Sequence, residues 1–313
     1  MTRGGRATRR ALAVLVLLSA TLLAGCLNPD PAVHSERASA SSASGGSTEA
    51  VQGGVPESTV GVAPRIDEDP VVTADPRIPF VEATEQSGGL GYDADTVMAV
   101  RYGVHPGYER AVIDLGTGEE PAGAVPEWSL ISPKGDGLLR VNLPSASATC
   151  VSDGSFGGGL LGGFHVVRAP EGGMFVDFFA HEEFRYRVIG PPDPARLVVD
   201  FQPTRRDPKL LSPAKGGDTV LVEPRSGARI SDPLTVSGYA RNPEAANTII
   251  LTGPRGKVLA RRTVRSNDWS HTWGYFEATL DLPPLSGKGT LKVGAANASD
   301  GSSRGVEIPV WAR

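Results

Sequence analysis

From about residue 80 onward, short runs in which apolar and polar residues alternate recur along the chain, broken every few positions by Gly, Pro, Asn, Asp or Ser. A period of two is the pattern of a strand with one face on a core and one toward water. In Glu109–Leu115, for example, Ala111, Ile113 and Leu115 share one face while Arg110 and Asp114 share the other. The same reading places strands at Thr96–Arg101, Leu138–Leu143, Met174–Ala180, Phe184–Ile189 and Arg196–Phe201. A second series follows at Thr219–Val222, Leu234–Gly238, Thr248–Thr252, Val258–Arg262, Tyr275–Asp281, Thr290–Ala295 and Val306–Trp311. No helical period of comparable clarity competes with them. The predicted fold class is mainly β, in two β-rich domains.

The two series are divided at 205–218, where Pro208, Pro213, Gly216, Gly217 and several charges predict an interdomain linker. The second block packs seven short strands into about 95 residues, the spacing of a small immunoglobulin-like β-sandwich. Its two sheets are expected to be held by apolar packing alone, since the block contains no cysteine.

Ahead of the strands the pattern changes twice. Arg3, Arg6, Arg9 and Arg10 precede a weakly polar to apolar run from Ala11 to Ala24, too short to span a bilayer and ending in small residues. Residues 1–25 therefore read as a cleavable export signal. The ending Leu23-Ala24-Gly25-Cys26 resembles the lipobox of bacterial lipoproteins, which implies a diacylglyceryl group on Cys26 and a membrane-anchored, extracytoplasmic mature chain. Two acyl chains, at roughly 0.8 kcal/mol per buried methylene, hold a protein at a membrane where one does not. Residues 26–79 are dominated by Ser, Ala, Gly, Pro, Thr and acids without a sustained period, and such a segment lacks the apolar residues for a core. It is expected to be a disordered tether with a reach on the order of 40 Å.

Composition narrows the chemistry. The chain has two cysteines, and lipid on Cys26 leaves Cys150 without an intramolecular partner, so no disulfide is expected and Cys150 reads as a small buried residue. His34, His105, His165, His181 and His271 are scattered without metal-ligand spacing, and no metal or cofactor is expected. Removing the four signal arginines takes the formal charge from −4 to −8. With that acidic balance and no basic run recognised, nucleic acid is not expected as a partner.

The residues of the first block carry a family resemblance: Val100-Arg101-Tyr102-Gly103-Val104-His105-Pro106-Gly107-Tyr108-Glu109-Arg110-Ala111-Val112-Ile113-Asp114, then Phe184-Arg185-Tyr186-Arg187-Val188, then Arg196-Leu197-Val198-Val199-Asp200-Phe201. They resemble an AMIN-like domain, here assigned to residues 80–204. Related AMIN domains localise amidases and secretion pores in the envelope, which implies binding rather than chemistry. In the block 219–313, Pro224 through Gly227, Asp232–Ala240, Trp273–Ala278, Ser299–Ser302 and Val306–Val310 are similar to the immunoglobulin-like domain of bacterial spore-germination proteins. That similarity implies an extracytoplasmic interaction domain.

These readings lead to a lipid-anchored envelope binding protein whose partner is cell-wall peptidoglycan or an envelope protein. His105, Tyr108 and Arg110 are the contact candidates in the first domain. His105-Pro106-Gly107 also fits a plain turn, and Arg110 a solvated or paired outer-face side chain. In the second domain Trp269, after Ser266-Asn267-Asp268, is the aromatic expected to be exposed, whereas alternation places Trp273 and Tyr275 on one face and Phe276 on the other. The alternative is a cell-wall hydrolase or its accessory subunit, although no catalytic residue can be named and no Gly-x-Ser-x-Gly or His-Glu-x-x-His motif is present. Gly157, Gly159 and Gly162 have the spacing of a dinucleotide fingerprint, but strand-like Phe164-His165-Val166-Val167 follows instead of a helix, so a hairpin connection is expected.

Overall fold

The structure is a computed structural model that describes residues 77–91, 94–191, 194–204, 210–284, 286–296 and 303–312. The expected signal, Cys26 and nearly all of the tether lie outside the described residues.

Strand formation follows the alternation closely. The first half contains β1 (Glu85–Gly88), β2 (Thr96–His105), β3 (Tyr108–Thr117), β4 (Glu120–Pro121), β5 (Trp128–Ile131) and β6 (Leu138–Leu143). It continues with β7 (Ala148–Thr149), β8 (Asp153–Ser155), β9 (Leu161–Arg168), β10 (Met174–Ala180), β11 (Phe184–Ile189) and β12 (Arg196–Pro203). The second half contains β13 (Ala214–Gly216), β14 (Thr219–Glu223), β15 (Arg229–Ile230), β16 (Leu234–Ala240) and β17 (Ala246–Thr252). After these come β18 (Val258–Arg265), β19 (Trp273–Leu280), β20 (Lys288–Ala296) and β21 (Ser303–Ala312).

Three sheets result among the described residues. One, ordered β11-β12-β3-β2-β7, packs its inner face against β5, β6, β10 and β9. The core between them holds Ile113, Leu115, Leu197, Val199 and Phe201 on one side and Leu139, Val141, Phe164, Val176 and Phe178 on the other. In the second half β14, β16 and β19 face the sheet β15-β21-β20-β17-β18 across Leu221, Val236, Phe276, Ile249, Leu291, Val293 and Ile308. This is the immunoglobulin-like sandwich expected from the spacing, held by apolar contacts without a cystine of its own.

The two halves are not separated by a linker in the way the sequence predicts. Residues 214–216 form β13, paired with β14, and β9 pairs in parallel with β19 through Val167 with Trp273 and Arg168 with Gly274. One ten-stranded sheet therefore runs through both halves. A third apolar cluster covers this seam, formed by Leu138, Val167, Phe175 and Phe179 from the first half and Val220, Val222, Tyr239 and Trp273 from the second. Polar groups seal it: Arg140 grips Asp177 through two bonds of 2.8 Å, Tyr239 donates to the same carboxylate, and Trp273 Nε1–H donates to Asp153 at 3.0 Å. β10 explains why the halves adhere. All seven of its residues are buried, because Val176 and Phe178 face the first core while Phe175 and Phe179 face the seam.

Cys150 departs from expectation on both counts. It lies at a bend where the chain leaves β7, so it is exposed rather than buried, and it is disulfide-bonded. The chain's other cysteine is Cys26, outside the described residues.

Candidate functional site

Three of the four expected contact residues come together on the outer face of the sheet β11-β12-β3-β2. β2 ends at His105, the turn Pro106-Gly107 reverses the chain, and β3 begins at Tyr108, which places the two rings side by side. Gly107 has φ +87°, a backbone region costly for any residue with a Cβ. The rings of His105 and Tyr108 stack at 4.7 Å and 10°, and Phe80, from the segment before β1, lies 6.1 Å from Tyr108. All three are partly exposed. Burial lowers the His105 imidazole below its usual value and Arg110 lowers it further, against an opposing pull from Asp200, so the neutral ring is favoured.

Beneath this platform lies charge. Asp200 is fully buried and receives Arg110 at 2.6 and 3.0 Å and Arg187 at 2.8 Å. The Arg187 guanidinium sits 4.5 Å below the Phe80 ring and 5.3 Å from that of Tyr108, and Arg110 sits 5.6 Å from Tyr108. Arg110 is thus the paired outer-face side chain that its strand position allowed, and the pair is buried. Arg110 is 5% exposed, because Asp200 opposes it in register on β12 and the aromatic rings cover the pair. Its role is to support the rings above it. Phe80, Arg187 and Asp200 were missed by pattern reading. Arg187 and Asp200 do occupy outward positions in their strands, but only the register Arg187–Asp200–Arg110 across three strands brings them together.

Trp269 stands apart, in the loop between β18 and β19, and is 46% exposed as expected. The Asp268 carboxylate accepts the amides of Trp269, Ser270 and His271, which fixes that loop. Trp273 and Tyr275 face the seam while Phe276 enters the sandwich core, in agreement with the alternation.

The glycine-rich loop is occupied from within. The amides of Gly159, Leu160 and Leu161 all donate to the Glu109 carboxylate at 2.8–2.9 Å, and β9 follows as a strand. A nest of amides suited to an anion is filled by the protein's own side chain. A cleft of about 140 Å³ elsewhere on the first half is lined by Glu82, Ser132, Lys134, Glu183, Tyr186 and Thr204, among others. Among the described residues no group of three or more His, Cys, Asp or Glu is placed to hold a metal, and no helix is long and apolar enough to cross a membrane.

No curated protein and no solved structure matches the chain. Residues 220–302 match the family described as the immunoglobulin-like domain of bacterial spore germination, in agreement with the immunoglobulin-like sandwich of the second half.

Proposed function

We propose that this protein is a lipid-anchored, extracytoplasmic binding protein of the bacterial envelope that holds cell-wall glycan on its His105–Tyr108–Phe80 face. The supporting observation is the neutral, parallel His105–Tyr108 stack, partly open to solvent and fixed from below by the Arg110–Asp200–Arg187 cluster. Flat π faces of this kind take the apolar C–H face of a sugar ring, and a platform already held rigid loses little side-chain entropy on binding. In this reading residues 1–25 direct export, Cys26 carries the lipid, residues 26–79 span the distance from the bilayer, and residues 80–204 act as an AMIN-like wall-binding module. The immunoglobulin-like half then presents its surface to a second partner in the envelope.

Lipid at Cys26 constrains Cys150. A sulfur that carries a thioether cannot also form a disulfide, so in this reading the disulfide of Cys150 is made with a cysteine of another molecule and not with Cys26. The intact mass of the membrane-extracted protein after reduction tests the lipid. The expected mass is that of a chain beginning at Cys26 with a diacylglyceryl group, and an unprocessed or unlipidated mass overturns the anchoring.

The binding reading is tested by sedimenting the full chain with purified peptidoglycan sacculi while the supernatant is followed for released fragments. The wild-type chain is expected to pellet, with a Tyr108→Ala variant left in solution and nothing released. Pelleting unaffected by Tyr108→Ala removes the platform from the account. Release of fragments favours the hydrolase instead, for which the cleft bearing Glu82 and Glu183 is the place to look, since glycan hydrolysis uses paired carboxylates.

A further inference from the structure

One edge of the immunoglobulin-like half carries a charge pattern opposite to that of the whole molecule. Between residues 255 and 265 the chain holds Arg255, Lys257, Arg261, Arg262 and Arg265 and no acid, although the protein as a whole has 35 acidic residues against 31 basic. The sequence reading recognised no basic run because these residues are split between a turn and a strand. The fold joins them. Arg255 and Lys257 sit at the tip of the β17–β18 hairpin, and Arg261, Arg262 and Arg265 follow along β18.

Among the described residues β18 is the last strand of its sheet, paired to β17 alone, and all five cations are exposed. None has a carboxylate within ion-pair distance among the described residues. What they touch is backbone: Arg262 donates to the Thr279 carbonyl, and Arg265 to that of Glu244 at 3.4 Å. On the same sheet Lys292 is neutralised by Glu307 at 2.8 Å, and on β11, an edge strand of the first half's sheet, Arg187 is paired with Asp200. A single edge cation is accounted for as protection against unwanted strand pairing. Five together without a counter-charge repel one another, a cost that an anionic partner would relieve.

The arrangement also narrows the shape of that partner. The charges follow one line, and at about 3.3 Å per residue β18 extends roughly 25 Å. Arg262 reaches toward the facing sheet, whereas Arg261 and Arg265 lie at alternate positions that point the other way. Cations that fan to both sides of one edge form a ridge, which a flat bilayer meets on one side only and a linear chain of charges can follow along its length.

We propose that the β18 edge, from Arg255 to Arg265, is a docking ridge for a linear phosphate-bearing polyanion. This stands on β18 alone and is independent of glycan binding at the platform.

The test is titration of linear polyphosphate into the full chain, purified in detergent, over a range of salt. Binding is expected to weaken with salt, with a log–log slope on the order of −3, as counterions are released from about five neutralised phosphates. An Arg261→Glu/Arg265→Glu variant is expected to bind at least about tenfold more weakly, while Arg185→Glu, at an exposed position on β11, leaves binding unchanged. Both substituted positions are on the surface, and an unchanged thermal transition confirms that the variants fold. Absence of polyphosphate binding, or equal binding by the double variant, overturns the proposal. It is equally overturned if an Asp/Glu peptide or anionic vesicles compete at this ridge more tightly than polyphosphate, because the ridge then belongs to that partner.

Discussion

Asp200 supports the platform by accepting two guanidiniums at once, and its removal tests that arrangement at a single residue. An Asp200→Ala variant leaves Arg110 and Arg187 buried without their shared carboxylate. Losing one partner of a buried ion pair costs about 3–5 kcal/mol, and a fall of that size in unfolding free energy by urea titration is the expected outcome. His165 and Asp153 give a second residue-scale prediction. Both ring nitrogens of His165 are buried without a hydrogen-bond partner at the seam, where burial, reinforced by Lys215, holds the imidazole down to about 3. Burial acts to raise the Asp153 carboxyl, but Trp273 Nε1–H and Lys215 outweigh it and hold the group at about 2. The unfolded chain therefore takes up a proton at His165 near pH 6.5, while the folded chain resists until about 3. Stability is fully present above that window and falls within it as pH falls, at up to ~1.4 kcal/mol per pH unit. Asp153 adds loss in the same direction between 3.8 and about 2. In urea titrations between pH 6.5 and 4, a His165→Phe variant is expected to lose stability less steeply than wild type, and an equal slope contradicts the assignment. The turn that sets His105 beside Tyr108 was legible in the sequence because His-Pro-Gly is flanked by strand pattern. An outward, paired Arg110 was legible too, but its burial was not, since alternation shows that a residue faces outward and not what folds over it.

At the scale of elements, the glycine-rich loop and β10 show what a pattern yields and what it conceals. Glu109 satisfies three loop amides, so Glu109→Ala is expected to destabilise the protein by about 1–3 kcal/mol, the cost of unsatisfied buried donors. Glu109→Gln retains an acceptor and is expected to cost less, with both read from denaturant midpoints. Rejecting a nucleotide fingerprint was possible from sequence because strand-like residues follow the loop. The filling of the loop by Glu109 was not, because the carboxylate lies about fifty residues away in the chain. Every strand placed by alternation is present, whereas β1, with the sequence Glu-Gln-Ser-Gly, has no apolar face to announce it and exists only because β5 pairs with it. β10 carried a signal that went unused. Met-Phe-Val-Asp-Phe-Phe-Ala has scarcely any polar alternation, the composition of a strand covered on both faces, and it marks the seam.

For the whole molecule, the shared sheet and the third apolar cluster turn two expected beads into one body. Linker composition at 205–218 concealed this, because Pro and Gly forecast a break in regular structure and say nothing about the surfaces that meet beyond it. Trp273 is the central tie. It packs at the seam, donates to Asp153 and lies 4.5 Å from the Arg241 guanidinium. Calorimetry of wild type is expected to show one cooperative transition, and Trp273→Ala to lose roughly 3–5 kcal/mol and divide the transition in two. Two transitions in wild type contradict a common body. A rigid body matters for the proposed role because it fixes the glycan platform on one half relative to the cationic ridge on the other.

The most direct test of the central claim is a titration of soluble peptidoglycan glycan fragments into the isotope-labelled full chain in detergent, followed by NMR. The account predicts chemical-shift changes centred on His105, Tyr108 and Phe80, absent in Tyr108→Ala. Changes confined to the Glu82–Glu183 cleft or to the Trp269 loop, or no changes at all, contradict it.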